Sequence, residues 1–189
     1  YGGSTGFGRL YRDRLRNGWG KVDVFDCVAA ARTLVESGKV DRDLIAIEGS
    51  SAGGFTALAS LCSSDIFKVA ACRYAVSDLI NMVHDTHRFE AHYLDYLIGC
   101  WPDKKQIYEE RSPLNNIAKI NCPVIFFQGL KDKVVPSSQT EKIVSSLRSR
   151  DLNVEFFTFP EEGHGFRDQT VKVKVLEATE KFFRETLNL

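Results

Sequence analysis

The sequence predicts an α/β domain with a mostly parallel sheet. Three observations carry this expectation. Short apolar runs end in glycine or a polar residue, stretches of helical periodicity follow them, and the two patterns alternate along most of the 189 residues. The chain opens on a glycine-rich loop, "YGGSTGFG", with no strand before it. A helix follows. Val22, Phe25, Val28, Ala29, Ala31 and Leu34 recur at helical spacing, and Gly38 suits a C-cap. "DLIAIEG" reads as a buried strand and "AGGFTALASLCSS" as the helix after it. "FKVAACRYAVSD", "VIFFQG" and "VEFFTFP" read as three more strands. Between the last two, "SSQTEKIVSSLRSRDL" is amphipathic and begins with capping serines. The stretch from about Thr170 to Leu189 reads as a helix with Val171, Val175, Ala178 and Phe182 on one face. One segment, about 79–121, breaks the rhythm. It has no strand pattern, and an insertion of this size is expected to form a cap-like element that carries binding function.

Composition excludes several classes. Lys plus Arg equals Asp plus Glu, 25 each, so the molecule as a whole has no pull toward nucleic acid or an anionic membrane. No apolar run approaches the roughly 18 residues of a membrane span. Five scattered cysteines, without a CxxC pair, favour a reducing compartment over a disulfide framework, and the expected location is the cytoplasm.

The chemistry concentrates at "IAIEGSSAGGFTAL", where two serines are adjacent. Gly49 and Gly53 flank Ser51 in a Gly-x-Ser-x-Gly pattern, whereas Ser50 has Glu48 where the first glycine should stand. A nucleophile on a sharp strand-to-helix turn is strained, and bulky side chains two residues away on either side are expected to clash. The helix beyond points free N–H groups at developing negative charge. Alone the pattern is weak, but the strand before it and the helix after it supply the required context. A serine needs a base and the base an orienting acid. In α/β-hydrolases these follow in the order Ser, Asp or Glu, His. Asp132 follows the strand "VIFFQG" in "LKDKVVP", and His164 follows "VEFFTFP" in "EEGHGF". Each falls past a strand's carboxyl end, where open α/β sheets place functional groups. A turn aspartate and a surface-loop histidine are the structural alternatives. A second cluster, His84, His87 and His92 with Asp85 and Glu90, is conceivable as a metal site. Its spacing matches no zinc signature, so a polar cap helix is the expectation and no metal is assigned.

"GSSAGG", "FQGLKDKVVP" and "GHGF", together with "YGGSTGFG" and "RFEAHYLDYLIG", resemble the catalytic domain of the prolyl oligopeptidase group of serine peptidases, chiefly its acylaminoacyl-peptidase and dipeptidyl-peptidase-like branch. The likeness runs over nearly the whole chain. It implies an α/β-hydrolase fold lacking its N-terminal strands, with Ser51 as nucleophile, Asp132 as acid and His164 as base. It implies Ala52 N–H as one oxyanion donor and a second donor from a loop upstream of Tyr1. It also implies an N-terminal β-propeller in a longer enzyme, a peptide substrate, no cofactor, and no nucleic-acid or membrane partner, and it admits a homo-oligomer. Tyr74, Val134, Val135 and the segment 89–96 are candidate walls of the substrate site, with core packing the alternative. Two other functions fit the same residues: a carboxylesterase or thioesterase, and a binding module with a relic triad.

Overall fold

A computed structural model of the chain describes residues 1–85 and 93–189. In chain order the elements are α1 (Arg9–Arg12), α2 (Val22–Glu36), β1 (Ala46–Ser50), α3 (Ala52–Ser63), β2 (Val69–Arg73), α4 (Leu79–Asp85), α5 (Tyr93–Leu97), α6 (Lys105–Arg111), β3 (Val124–Gly129), α7 (Ser137–Arg148), β4 (Val154–Phe159) and α8 (Gln169–Leu187). Short 3-10 helices cover Asp13–Leu15 and Pro113–Lys119. The four strands pair in the order β1-β2-β3-β4, and every pair is parallel.

The strand sequences explain their places. Val69 to Cys72 and Val124 to Phe127 are apolar throughout and fully buried, as central parallel strands covered on both faces must be. Alternate residues serve opposite faces. Ala70, Cys72, Val124 and Phe126 pack with Leu58 of α3 and with Ile143 and Leu147 of α7. Val69, Ala71, Ile125 and Phe127 pack with Val175 and Phe182 of α8. Val171 and Ala178 join that second cluster, so the α8 face read from the sequence is the face that packs.

Helix α2 differs from expectation. Phe25 is 71% exposed and Leu34 is 43% exposed, although both lie in the helical pattern. The stripe that packs is Val24, Val28, Ala31 and Val35, at spacings of four, three and four. The sequence holds two overlapping apolar stripes, and the packing against α3 selects one.

A further cluster joins Trp19, Phe55, Val76, Leu79, Leu97 and Tyr108. It ties the N-terminal region, α3 and the segment 79–121 into one packed body. Among the described residues that segment holds helices and no strand.

Candidate active site

The carboxyl edge of the sheet carries the site. Ser51 follows β1, Tyr74 follows β2, Asp132 lies three residues past β3, and His164 lies five past β4. A parallel sheet brings all such ends to one edge, which unites residues up to 113 positions apart.

Ser51 sits at φ 53° and ψ −118°, in the left-handed half of backbone space that a serine rarely occupies. The turn is held on both sides. Ser51 N–H donates to Arg73 O at 3.0 Å, and Ser51 O accepts from Phe55 N at 3.0 Å and Val76 N at 3.3 Å. Gly49 is required, since a Cβ there would stand 2.1 Å from Gly53 O. The expected symmetry fails on the other side. A Cβ on Gly53 would meet nothing within 4 Å, whereas one on Gly54 would meet Ala75 Cβ at 2.5 Å. The close approach beyond the turn is between α3 and the chain after β2, and it falls on Gly54.

Ser51 Oγ lies 2.8 Å from His164 Nε2, and His164 Nδ1 lies 2.9 Å from Asp132 Oδ2. An ionised carboxylate can only accept, so the proton belongs on Nδ1 and leaves Nε2 to accept from the Ser51 hydroxyl. Ser50 instead closes β1, in register with Arg73 of β2.

Asp132 is locally over-determined. Its Oδ1 accepts from Val134 N at 2.8 Å and Val135 N at 2.9 Å. Its Oδ2 accepts from His164 and, at 3.3 Å, from Gln128 Nε2. Burial pushes the carboxyl pKa up. The hydrogen bonds from His164 and from the Val135 and Val134 N–H groups outweigh it, and the pKa falls below the ordinary aspartate value. The acid and histidine loops also support each other, through Lys131 N–H donating to Glu162 O at 2.9 Å. Glu162 is buried, and its carboxylate accepts from Arg167 N and Asp168 N, both at 2.8 Å. This clamps the loop that carries His164.

The Tyr74 ring lies edge-on to the His164 ring at 4.9 Å and to Phe166 at 5.1 Å. Its backbone is also strained, at φ 38°. Ala52 is the first residue of α3, and N–H groups in a helix's first turn have no intrahelical acceptor. Val134 is 37% exposed. Val135 is 0% exposed and packs in the cluster of Phe55, Val76 and Leu79, so it belongs to the core and presents no surface to a ligand. His84 stands in the last turn of α4, and His87, His92 and the stretch 89–92 lie outside the described residues. Among the described residues no cluster of three or more His, Cys, Asp or Glu side chains could hold a metal ion. No helix among them is long and apolar enough to cross a membrane.

Sequence reasoning missed Gln128, whose Oε1 accepts from Thr140 Oγ1 of α7 at 2.8 Å, and with it Thr140, Glu162 and Gly54. A polar residue inside an otherwise apolar strand was a usable signal for Gln128. A helix threonine, an acidic residue in an acidic pair and a second consecutive glycine carry no such mark.

The model of the prolyl oligopeptidase family matches residues 1–189. A dipeptidyl aminopeptidase BIII of Pseudoxanthomonas mexicana is 28% identical over 98% of this chain and 28% of its own length. A human acylamino-acid-releasing enzyme is 25% identical over 91% of this chain and 24% of its own. Among solved structures, a puromycin-hydrolysing peptidase of Mycobacterium tuberculosis has a TM-score of 0.96 and 46% identity, over 99% of this chain and 29% of its own. A puromycin hydrolase has a TM-score of 0.96 and 40% identity, over 100% of this chain and 29% of its own. The chain thus spans less than a third of the length of each of these relatives. The four-stranded parallel sheet with its helices is that of the α/β-hydrolase peptidases. This chain belongs to the prolyl oligopeptidase family.

Proposed function

We propose that this chain is the catalytic unit of a serine peptidase that cleaves peptide or aminoacyl amide bonds through an acyl-enzyme. The observation that carries the reading is the continuous hydrogen-bonded line from Ser51 Oγ through His164 to Asp132. Ser51 Oγ attacks the scissile carbonyl as His164 Nε2 takes its proton. Asp132 keeps the proton on Nδ1 and stabilises the imidazolium. The oxyanion faces the N-terminus of α3, where Ala52 N–H is a donor. His164 then protonates the leaving amine, the C–N bond breaks, and the acyl group stays on Ser51. Water, deprotonated by His164, releases the acid and restores the serine. Tyr74 and the exposed Val134 are the described residues best placed to touch substrate beside this line.

The named activities of the relatives, on dipeptidyl, acylamino-acid and puromycin substrates, support an amide rather than a simple ester as substrate. The test compares kcat/KM on a dipeptidyl p-nitroanilide, an N-acetylaminoacyl p-nitroanilide, puromycin and a short p-nitrophenyl ester. Turnover of at least one amide, lost in Ser51→Ala, is the expected result. Ester turnover with none of the amides cleaved would assign an esterase instead.

A further inference from the structure

Gln128 is wholly buried in β3, and its side-chain amide is surrounded. Nε2 donates toward Val135 O at 3.1 Å, Gly129 O at 3.2 Å and Asp132 Oδ2 at 3.3 Å. Oε1 accepts from Thr140 Oγ1 at 2.8 Å. Thr140 is itself buried, on α7. Three oxygens thus surround the nitrogen and a hydroxyl faces the oxygen. This fixes the amide orientation, since the reverse would set Oε1 against three acceptors.

The contacts span the whole acid loop. Gly129 is where it leaves β3, Asp132 is its centre, and Val135 is where it enters the core. Asp132 Oδ2, held by Gln128, is the same oxygen that receives His164 Nδ1. Resting on the reading of this site as a serine hydrolase, we propose that Gln128 and Thr140 are positioning residues for catalysis. Thr140 fixes the amide, and the amide sets the direction and basicity of the carboxylate that orients His164.

Two effects follow. With the strut intact, Oδ2 shares its charge between two donors and is pinned in the plane His164 needs. With the strut lost, the loop gains freedom and Oδ2 concentrates on His164 alone. The first effect lowers the rate. The second makes the imidazole a stronger base and moves the acid limb of the rate to higher pH. Among the described residues few other titratable groups face this region. Tyr74 lies against the imidazole, and Glu162 turns its carboxylate onto Arg167 N and Asp168 N. Lys131 pairs with Glu161 at the exposed side of the loop.

The test measures the pH dependence of fluorophosphonate inactivation in the intact protein, alongside kcat and KM on its best amide substrate. Thr140→Val removes the hydroxyl and leaves Oε1 without its donor. Thr140→Ser keeps it. Gln128→Glu preserves shape and sets a carboxyl group against three oxygens. A single hydrogen bond corresponds to about five-fold in rate. Thr140→Val and Gln128→Glu are expected to lower kcat by about five-fold or more, with KM within about two-fold, and to move the acid limb upward by about half a unit. Thr140→Ser should restore both, and the hydrogen-bonded His164 Nδ1 proton in the NMR spectrum should shift in Thr140→Val and Gln128→Glu but not in Thr140→Ser. If Gln128→Glu does not fold, the Val and Ser variants at Thr140 decide the matter. Variants that melt earlier but keep the wild-type rate and acid limb would overturn the proposal and make the strut a packing device. A wild-type protein that takes no label at Ser51 would instead overturn the hydrolase reading, and this inference with it.

Discussion

Replacing Asp132 by asparagine separates geometry from charge at the centre of the site. The amide has two orientations. With its oxygen at the Oδ1 position it keeps both N–H donors, Val134 at 2.8 Å and Val135 at 2.9 Å. With its nitrogen there, two buried donors face a third, at a cost of about 1–3 kcal/mol for each lost bond. The first orientation gives up only the Gln128 donor at the other position, so it wins by one bond, about 1–3 kcal/mol. Its NH2 then faces His164 Nδ1, which must give up its proton and accept. The proton moves to Nε2, 2.8 Å from Ser51 Oγ, and the imidazole donates where it should accept. The expected loss in kcat is about 10⁴-fold, with the fold retained. Gln128 also meets a second NH2 at 3.3 Å, which adds a local conflict that charge removal alone does not. Stability carries a separate signature. Because the folded pKa of Asp132 lies below the ordinary value, its contribution is present above about pH 4 and fades as pH falls through the folded pKa. Asp132→Asn should lower stability at neutral pH and flatten its dependence below about pH 4. The assay is fluorophosphonate inactivation against pH, beside denaturant unfolding at pH 7 and pH 3. An inactivation rate within ten-fold of wild type would refute the assigned tautomer and the role of Asp132.

The elbow glycines should separate cleanly. Gly49→Ala drives a Cβ into backbone and should cost about 3 kcal/mol or more, while Gly53→Ala, in open space in the first turn of α3, should raise stability by about 0.5–1 kcal/mol; urea midpoints in the reverse order would contradict the packing. Glu162→Gln keeps one acceptor of two and turns a donor onto Arg167 N or Asp168 N. It should cost about 2–3 kcal/mol and slow Ser51 labelling, and an unchanged unfolding curve would show that water holds that loop equally well. Asp23 is wholly buried, and burial raises its pKa against hydrogen bonds from Thr56 and Gly20 N. That raised pKa makes its contribution to stability fall as pH rises through the folded value, so Asp23→Asn should flatten the pH dependence just above about pH 4. An unchanged profile would deny that cost.

Ser51, Asp132 and His164 were legible because each lies just past the end of a recognisable strand, and a parallel sheet gathers such ends. The distances between them were not legible, since the 2.8 Å contact joins positions 113 apart and depends on the order of the strands. Periodicity identified α8 and its packed face, yet it could not choose between two apolar stripes on α2, where Phe25 lost to Val24 and Val28. The glycine argument located Gly49 and misplaced its partner. A clash is a property of what approaches, and only the fold brings Ala75 against Gly54. Val135 shows the same limit from the other side. Two adjacent valines read alike in sequence, but the hydrogen bonds from Val134 N and Val135 N to Asp132 turn the loop so that one is buried and its neighbour exposed.

The central claim is that Ser51, rather than its neighbour Ser50, is the nucleophile and that His164 activates it. A fluorophosphonate probe followed by peptide mass spectrometry tests this most directly, across wild type, Ser50→Ala, Ser51→Ala and His164→Gln. One adduct on Ser51 is expected in wild type, largely retained in Ser50→Ala and absent in Ser51→Ala. In His164→Gln labelling should fall by about 10³-fold or more. An adduct on Ser50, or labelling of Ser51 that survives loss of His164, would contradict the account.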